Sequence, residues 1–189
     1  MLASKKGVTL IELLIVVGVI SIVAAVGGDI LLTVIRAYKK AQILGTVEQN
    51  GSVSSTFLEN NLRDASVIRY EGGGQFVEIP EGESVSSDYI KITSSQGVTA
   101  TIQFVEGGTG GSCPNGKIEV DGVSITSTDV NSGVNVIKKN GGAIFTIYNP
   151  DNTPPVITTI FDVTQACQSP VTAKAEFNTT VTLRGNYGD

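Results

Sequence analysis

The sequence has no histidine and no tryptophan, and it has only two cysteines and one methionine in 189 residues. Without histidine, the common mixed zinc sites, Cys-His pairs and Ser-His-Asp triads are excluded. Basic residues are also scarce: from residue 75 onward, six Lys and Arg face twelve Asp and Glu. An acidic surface does not attract nucleic-acid phosphates. We therefore expect a chain that is not an enzyme, has no cofactor or metal, and does not bind nucleic acid.

A long apolar run is what the sequence does have. Residues 8–26 are all apolar or small except Thr9, Glu12 and Ser21. As a helix, these nineteen residues span about 28 Å, close to the hydrocarbon thickness of a bilayer of roughly 30 Å. Lys5 and Lys6 precede the run, and the positive-inside rule then keeps the N-terminus cytoplasmic. This predicts a single-pass membrane protein whose C-terminal region is extracytoplasmic.

Glu12 is the unexpected residue in this run, because an isolated charge in hydrocarbon costs about 2.5 to 3.5 kcal/mol or more. A cleaved secretory signal is one interpretation, since Ala25, Val26 and Gly27 follow a small-x-small pattern. A plain signal anchor is another. Neither interpretation gives Glu12 a role.

Residues 5–17, KKGVTLIELLIVV, resemble the class III signal of type IV pilins and type II secretion pseudopilins. The resemblance implies a leader peptide of residues 1–7, cleavage between Gly7 and Val8, and N-methylation of Val8, where the family usually has Phe. It implies that Glu12 is an assembly residue that pairs with the terminal amine of a neighbouring subunit. The implied partners are other subunits, the prepilin peptidase and methyltransferase, and an inner-membrane assembly platform with a separate ATPase. The mature chain would end in a filament outside the membrane.

Helical spacing of apolar residues continues beyond the membrane segment, and no proline occurs before Pro80. The pattern predicts one long N-terminal helix over residues 8–68, with its transmembrane segment at about 8–27. Gly27 and Gly28 mark a candidate hinge, because each glycine costs about 1 kcal/mol in a helix. By resemblance, this is also where the helix would melt in assembled pili. A break near Gly51 is an alternative.

After residue 74, apolar and polar residues alternate with period two instead of following the helical pattern. This predicts an extracytoplasmic β-rich domain over residues 75–189. The predicted strands are residues 76–79, 89–93, 98–105, 117–120, 123–126, 143–148, 156–163 and 173–184. An antiparallel sheet over the second half of the helix would cover the apolar faces of both. The expected fold class is α+β, the lollipop architecture of pilins.

Cys113 and Cys167 lie in the exported region and are candidates for a disulfide, with two free thiols as the alternative. Two loops could suggest ligand sites. Residues 129–133 place oxygen ligands at alternating positions but lack the later glutamate of a calcium loop, so a polar turn is favoured. Residues 107–111, GGTGG, lack the Gly-Lys-Ser/Thr of a phosphate loop and are expected to form a flexible loop.

Two segments favour a minor subunit. Residues 57–66 resemble the helix end of minor pilins and J-type minor pseudopilins, and residues 176–184 are similar to the closing strand of minor prepilins. The alternatives are a major pilin and a membrane-anchored exported binding protein that does not polymerise. The motif is shared by pili, secretion pseudopili and DNA-uptake filaments.

Overall fold

The computed structural model describes residues 7–108, 113–167, 169 and 172–183. The leader residues 1–6, with Lys5 and Lys6, lie outside the described residues, as do residues 109–111 of the glycine-rich loop and Arg184. The chain divides into two compact units, Met1–Ala41 and Gln42–Asp189. One α-helix, α1, spans Leu10–Asp64 and so contributes to both.

In the first unit, α1 is the only element within the described residues 7–41, and it runs unbroken through Gly27 and Gly28. Every described residue of this unit is exposed. Judged by length and composition alone, α1 is long enough and its apolar segment is hydrophobic enough to cross a membrane. The long apolar helix that the sequence predicted is therefore confirmed.

The second unit combines the end of α1 with antiparallel strands and one 3-10 turn at Lys139–Gly141. The strands are β1 (Ala65–Gly72), β2 (Gln75–Glu78), β3 (Ser84–Ser87), β4 (Tyr89–Ser94), β5 (Thr99–Val105), β6 (Lys117–Val120), β7 (Val123–Ser124), β8 (Val134–Lys138), β9 (Phe145–Tyr148), β10 (Val156–Gln165) and β11 (Lys174–Thr182). The fold class is α+β, as the sequence predicted.

The strands form two sheets, where the sequence analysis expected one. The first sheet has the order β2-β1-β4-β5-β6-β7. The second has the order β11-β10-β9-β3, and β8 also pairs with β10. Strand β10 is long enough to pair with β9 through Val156–Thr159 and with β8 through Phe161–Gln165. Strands β8 and β9 therefore follow one another along the same edge of β10.

The end of the long helix requires a correction. The sequence predicted helix as far as Ile68, but α1 ends at Asp64 and β1 begins at the next residue. Ala65 and Ile68 continue the helical spacing of apolar residues, yet both are buried in the sheet, where Ile68 pairs with Ile92 of β4. The Ser66 hydroxyl donates to the carbonyl of Thr93, at 3.1 Å. Pairing with β4 outweighs the local helical pattern here.

The core of the second unit lies between one face of α1 and the sheets. Val47, Leu58 and Leu62 of α1 are fully buried there. Helix and sheet approach each other closely at Gly51, because a Cβ atom built on Gly51 would lie only 2.0 Å from Cε2 of Phe177 on β11. The Phe177 ring stacks on Phe161 of β10 with ring centroids 5.6 Å apart. The break suggested as an alternative near Gly51 does not occur, since the glycine is a close-packing position inside a continuous helix.

Candidate assembly site

Thr9 caps the N-terminus of α1. Its carbonyl accepts hydrogen bonds from the backbone N–H groups of Glu12 and Leu13, at 3.1 and 3.2 Å, and its hydroxyl accepts from the Glu12 N–H at 3.3 Å. Thr9 and Glu12 thus have the Thr-x-x-Glu spacing of a capping box. An acidic side chain in the first turn also interacts favourably with the helix dipole. The helix therefore begins at Leu10, two residues after Val8, with Glu12 in its first turn.

The bond between Gly7 and Val8 lies just outside this helix. Both residues are exposed and belong to no regular element, and a Cβ atom at Gly7 would meet no other atom within 4 Å. Folding of the described residues therefore leaves the bond accessible. Val8 is 72% exposed, so it is not packed against the other described residues.

Apolar side chains are exposed on all sides of α1 between Leu10 and Ile35. Leu10 is 80% exposed, and large aliphatic side chains around the whole helix are more than 40% exposed: Ile11, Leu13, Leu14, Ile15, Val16, Val17, Val19, Ile20, Ile22, Val23, Val26, Ile30, Leu31, Leu32, Val34 and Ile35. The Ser21 hydroxyl donates to the carbonyl of Val17, at 2.8 Å, so it needs no partner outside the helix. Such an extensive apolar surface indicates contact with lipid or with other protein surfaces.

Glu12 is the single charged residue in residues 8–28, and Asp29 is the next. No ion pair of Glu12 occurs within the part of the chain that the structure describes. Burial of this apolar helix in lipid or among other helices would leave the Glu12 carboxylate without a counter-ion from the residues that the structure describes. An opposite charge beside the carboxylate would offset that cost.

A family model described as the prokaryotic N-terminal methylation motif matches residues 2–28. The chain carries a prepilin-type methylation motif. This match supports the resemblance of the N-terminal segment to type IV pilins and pseudopilins. Comparison with curated proteins and with solved structures found no match.

The matched range includes every N-terminal residue singled out from the sequence: Gly7, Val8, Glu12, Gly27 and Gly28. The structure brings Gly7, Val8 and Glu12 together at the start of α1, whereas Gly27 and Gly28 lie in the helix interior. A Cβ atom at either of these glycines would meet nothing within 4 Å, so packing within the chain does not require them. The sequence analysis missed the cap formed by Thr9, although the Thr-x-x-Glu spacing of Thr9 and Glu12 predicts such a cap.

Cys113 and Cys167 form a disulfide, with their Cα atoms 6.0 Å apart. The buried side chain of Asn115 reinforces the same connection. Its carbonyl oxygen accepts from the Cys167 N–H at 2.8 Å, and its amide donates to the carbonyl of Asp129, also at 2.8 Å. The disulfide therefore joins the segment before β6 to the segment that follows β10.

The loop at residues 129–133 is a polar turn. One carboxylate oxygen of Asp129 accepts hydrogen bonds from the N–H of Asn131, the N–H of Ser132 and the Ser132 hydroxyl, at 2.9, 2.7 and 2.9 Å. The backbone hydrogen bonds, first from Ser132 and then from Asn131, lower the pKa of Asp129. Among the described residues, no group of three or more acidic or cysteine side chains is placed to hold a metal ion.

Two acidic groups of the sheets are buried. The ammonium of Lys117 lies 2.6 Å from one carboxylate oxygen of Glu119, and the side-chain amide of Gln103 donates to the other oxygen at 2.7 Å. Both hydrogen bonds lower the pKa of Glu119, and the one from Lys117 has the larger effect. Asp162 of β10 has a side chain only 3% exposed, and one of its oxygens lies 2.7 Å from the ammonium of Lys174. Its other oxygen has no hydrogen-bond partner in the described structure. Each acid has one lysine as its counter-ion, Lys117 for Glu119 and Lys174 for Asp162.

Proposed function

We propose that this chain is a prepilin. Prepilin peptidase cuts it between Gly7 and Val8, Val8 is methylated, and the mature chain assembles through α1 as a minor subunit of a type IV pilus or a type II secretion pseudopilus. The observation that supports this most strongly is the helix of the first unit, which carries the methylation motif and exposes its apolar side chains on all sides. A subunit that packs helix against helix needs such a surface.

The charge of Glu12 has a physical explanation in this proposal. Cleavage creates a free α-amine at Val8, which is mostly protonated at neutral pH because its ordinary pKa is about 7.7 to 8.0. In a filament, the amine of one subunit lies beside the Glu12 carboxylate of its neighbour. Breaking a buried pair by removing one partner costs about 3 to 5 kcal/mol, because a charge remains without compensation. The pair therefore specifies the axial register of neighbouring subunits.

Before assembly, the subunit is a single-pass protein of the inner membrane. Lys5 and Lys6 hold the N-terminus in the cytoplasm, where the peptidase acts, and the β-rich unit lies on the other side. Its partners are other subunits, the peptidase and methyltransferase, and an assembly platform driven by a separate ATPase. Gly27 and Gly28 lie where the membrane segment ends, and we propose that the helix bends or melts there on assembly.

The minor role rests on the end of α1. Leu58 and Leu62 are buried against the sheets, whereas Glu59 and Arg63 form an ion pair on the exposed side of the same turn. This segment belongs to residues 57–66, which resemble minor pilins and J-type minor pseudopilins. Quantitative mass spectrometry of purified filaments tests the assignment. A minor subunit is present at a small fraction of the main subunit, and a chain that makes up most of the filament is a major pilin.

Substitution of Glu12 tests the assembly role. Glu12→Gln removes the charge but keeps a side chain that can complete the capping box, whereas Glu12→Ala removes both. We expect both variants to enter the membrane and lose the leader, and neither to enter filaments. Glu48→Gln is the matched control, because Glu48 is an exposed acid of the same helix without an ion pair in the described structure.

Three outcomes are distinguishable in that experiment. Normal assembly of Glu12→Gln together with failure of Glu12→Ala would show that Glu12 acts as a cap and not as a charge. Normal assembly of both variants would contradict an assembly role for Glu12. If filaments never contain the chain but its function persists in both variants, the chain is a membrane-anchored binding protein that does not polymerise.

A further inference from the structure

Strand β11 ends the second sheet and presents the longest open edge within the described residues. Its nine residues pair only with β10, through consecutive partners and without a register shift. The other strands that end a sheet, β2, β3 and β7, have four, four and two residues. Any strand added to the second unit would therefore gain most of its hydrogen bonds at β11.

Hydrogen bonds just beyond the two ends of this pairing show which backbone groups of β11 are open. The Leu183 N–H donates to the carbonyl of Pro155 at 2.9 Å, and the Gln165 N–H donates to the carbonyl of Ala173 at 3.3 Å. Hydrogen-bonded and non-hydrogen-bonded pairs alternate along an antiparallel ladder. The odd-numbered residues of β11 therefore bond to β10, and the even-numbered residues turn their N–H and C=O groups away from it. These outward residues include Glu176, Asn178, Thr180 and Thr182.

The outward groups have no backbone hydrogen-bond partner among the described residues. Proteins usually block such an edge with proline, lysine, a bulge or a very short strand. Strand β11 has no proline and no bulge, and its two charged residues, Lys174 and Glu176, already form ion pairs with Asp162 and Lys139. The remainder of the strand is uncharged and rich in threonine, which favours strands. The edge is therefore open to pairing.

The two faces beside this edge define the chemistry of a partner. On the face toward α1, the Thr179 hydroxyl bonds to the Ser55 hydroxyl at 2.9 Å, a contact that engages none of the outward backbone groups. On the opposite face, the Thr180 hydroxyl bonds to that of Thr158 at 3.0 Å. The register continues this row of hydroxyls across β9 and β3, through Thr146 and Ser86. A strand added at the edge would place an uncharged polar side chain beside Thr180.

Outward N–H and C=O groups that recur every two residues, about 6.8 Å apart, match one class of ligand, an extended polypeptide backbone. We propose that the open edge of β11 pairs with an extended, uncharged strand of a different subunit in the filament. The inference rests on the proposed function, in which a minor subunit has other chains as its neighbours. Backbone hydrogen bonds provide the affinity of this contact, and the neutral hydroxyl row disfavours a charged partner segment.

Proline at an even-numbered position tests the contact. Asn178→Pro removes an outward N–H and places a ring on the edge, yet it breaks no hydrogen bond to β10. Asn178→Thr is the matched control, because it changes the same side chain and keeps the N–H. Both variants are made in the full-length chain, in cells that assemble the filament, and filament and membrane fractions are compared by immunoblot. We expect Asn178→Pro to lower incorporation about tenfold, since a carbonyl of the partner loses its donor, and Asn178→Thr to incorporate normally.

Hydrogen exchange provides a second measurement that needs no substitution. The amide protons of Asn178 and Thr180 should exchange at least about tenfold more slowly in filaments than in the detergent-solubilised subunit, because pairing protects them. The amide of Thr179 bonds to β10 and should be protected in both samples. Replacing Asn178 with p-benzoylphenylalanine then shows which chain lies at the edge. A cross-linked product with another subunit is expected, and a product of two copies of this chain would contradict the proposed partner.

Normal incorporation of a folded Asn178→Pro, or equal exchange of Asn178 and Thr180 in filaments and in the free subunit, would overturn the inference. If Asn178→Pro lowers membrane levels, Thr182→Pro replaces it at the end of the strand, and the exchange measurement still decides. Glu12→Ala, measured in parallel, separates the two proposals. If Glu12→Ala fails to assemble while Asn178→Pro assembles, only the edge contact is wrong. If both assemble, the proposed function is also wrong.

Discussion

Gly51 is the position where the packing of α1 can be tested most sharply. A Cβ atom there would lie 2.0, 2.2 and 2.7 Å from Cε2, Cζ and Cδ2 of Phe177. The ring would have to move by more than 1 Å to reach ordinary contact at about 3.5 to 4.0 Å. Its stacking on Phe161 restricts that movement. Gly51→Ala is therefore a substitution in which packing and helix propensity oppose each other.

The magnitudes favour destabilisation. Alanine is better than glycine in a helix by about 0.8 to 1.0 kcal/mol. Overpacking of a well-packed core costs about 1 to 3 kcal/mol, and a contact this short belongs in the upper part of that range. We expect Gly51→Ala to lower the free energy of unfolding by about 1 to 2 kcal/mol. For a chain of this size, that lowers Tm by roughly 2 to 8 °C.

Unfolding of the full chain in detergent micelles, followed by circular dichroism, provides the measurement. Gly45→Ala is the matched control, because Gly45 lies in the same helix and a Cβ atom there would meet nothing within 4 Å. The control should be more stable than the wild type by up to about 1 kcal/mol. Phe177→Leu provides a second background, in which Gly51→Ala should cost less. Equal stabilisation by Gly51→Ala and Gly45→Ala would refute the argument.

Three further predictions concern the β-rich unit. Replacing Cys113 and Cys167 with serine removes a cross-link between residues 54 positions apart and should lower the unfolding free energy by roughly 4 kcal/mol in urea titrations, on the chain-entropy model. The pKa of Glu119 is lowered in the folded state, so its ionised carboxylate contributes stability at pH values above the unfolded carboxyl pKa of about 4.3. This stability is lost as the pH falls through the folded pKa. Glu119→Gln should therefore make Tm fall less on acidification than it does in the wild type. Lys174→Met leaves the buried Asp162 without its cation and should lower the free energy of unfolding, measured by thermal unfolding, by about 1 to 2 kcal/mol. This is less than the cost of breaking a fully buried pair, because the side chain of Lys174 is 58% exposed. An unchanged free energy of unfolding would mean that water compensates the charge of Asp162.

Much of the fold could be predicted from the sequence, because its signals are local. The apolar run and the absence of early proline predicted the long helix, and alternation predicted β6 at its observed bounds, Lys117–Val120. The strand β3, Ser84–Ser87, was missed because it has one apolar residue and gains its order from pairing with β9. Strand β8 was also missed, although Val134 and Val136 alternate; its order comes from pairing with β10, which is distant in the sequence.

Contacts between distant segments could not be predicted in the same way. The boundary between α1 and β1 depends on β4, since Ala65 and Ile68 satisfy the spacing of a helix as well as the burial of a strand. The division into two sheets depends on which strands pair. The requirement for glycine at position 51 depends on Phe177 of the last strand. By contrast, the N-terminal site is contiguous, so its motif was readable from residues 5–17 alone.

The mass of the chain isolated from filaments tests the central claim most directly. We predict that the filament contains a chain that begins at Val8 and carries a methyl group on its terminal amine. That amine is the cation that the account assigns to Glu12 of the neighbouring subunit. Filaments whose copies of this chain retain residues 1–7 would contradict the account, because no amine would then exist at Val8 to meet the acid.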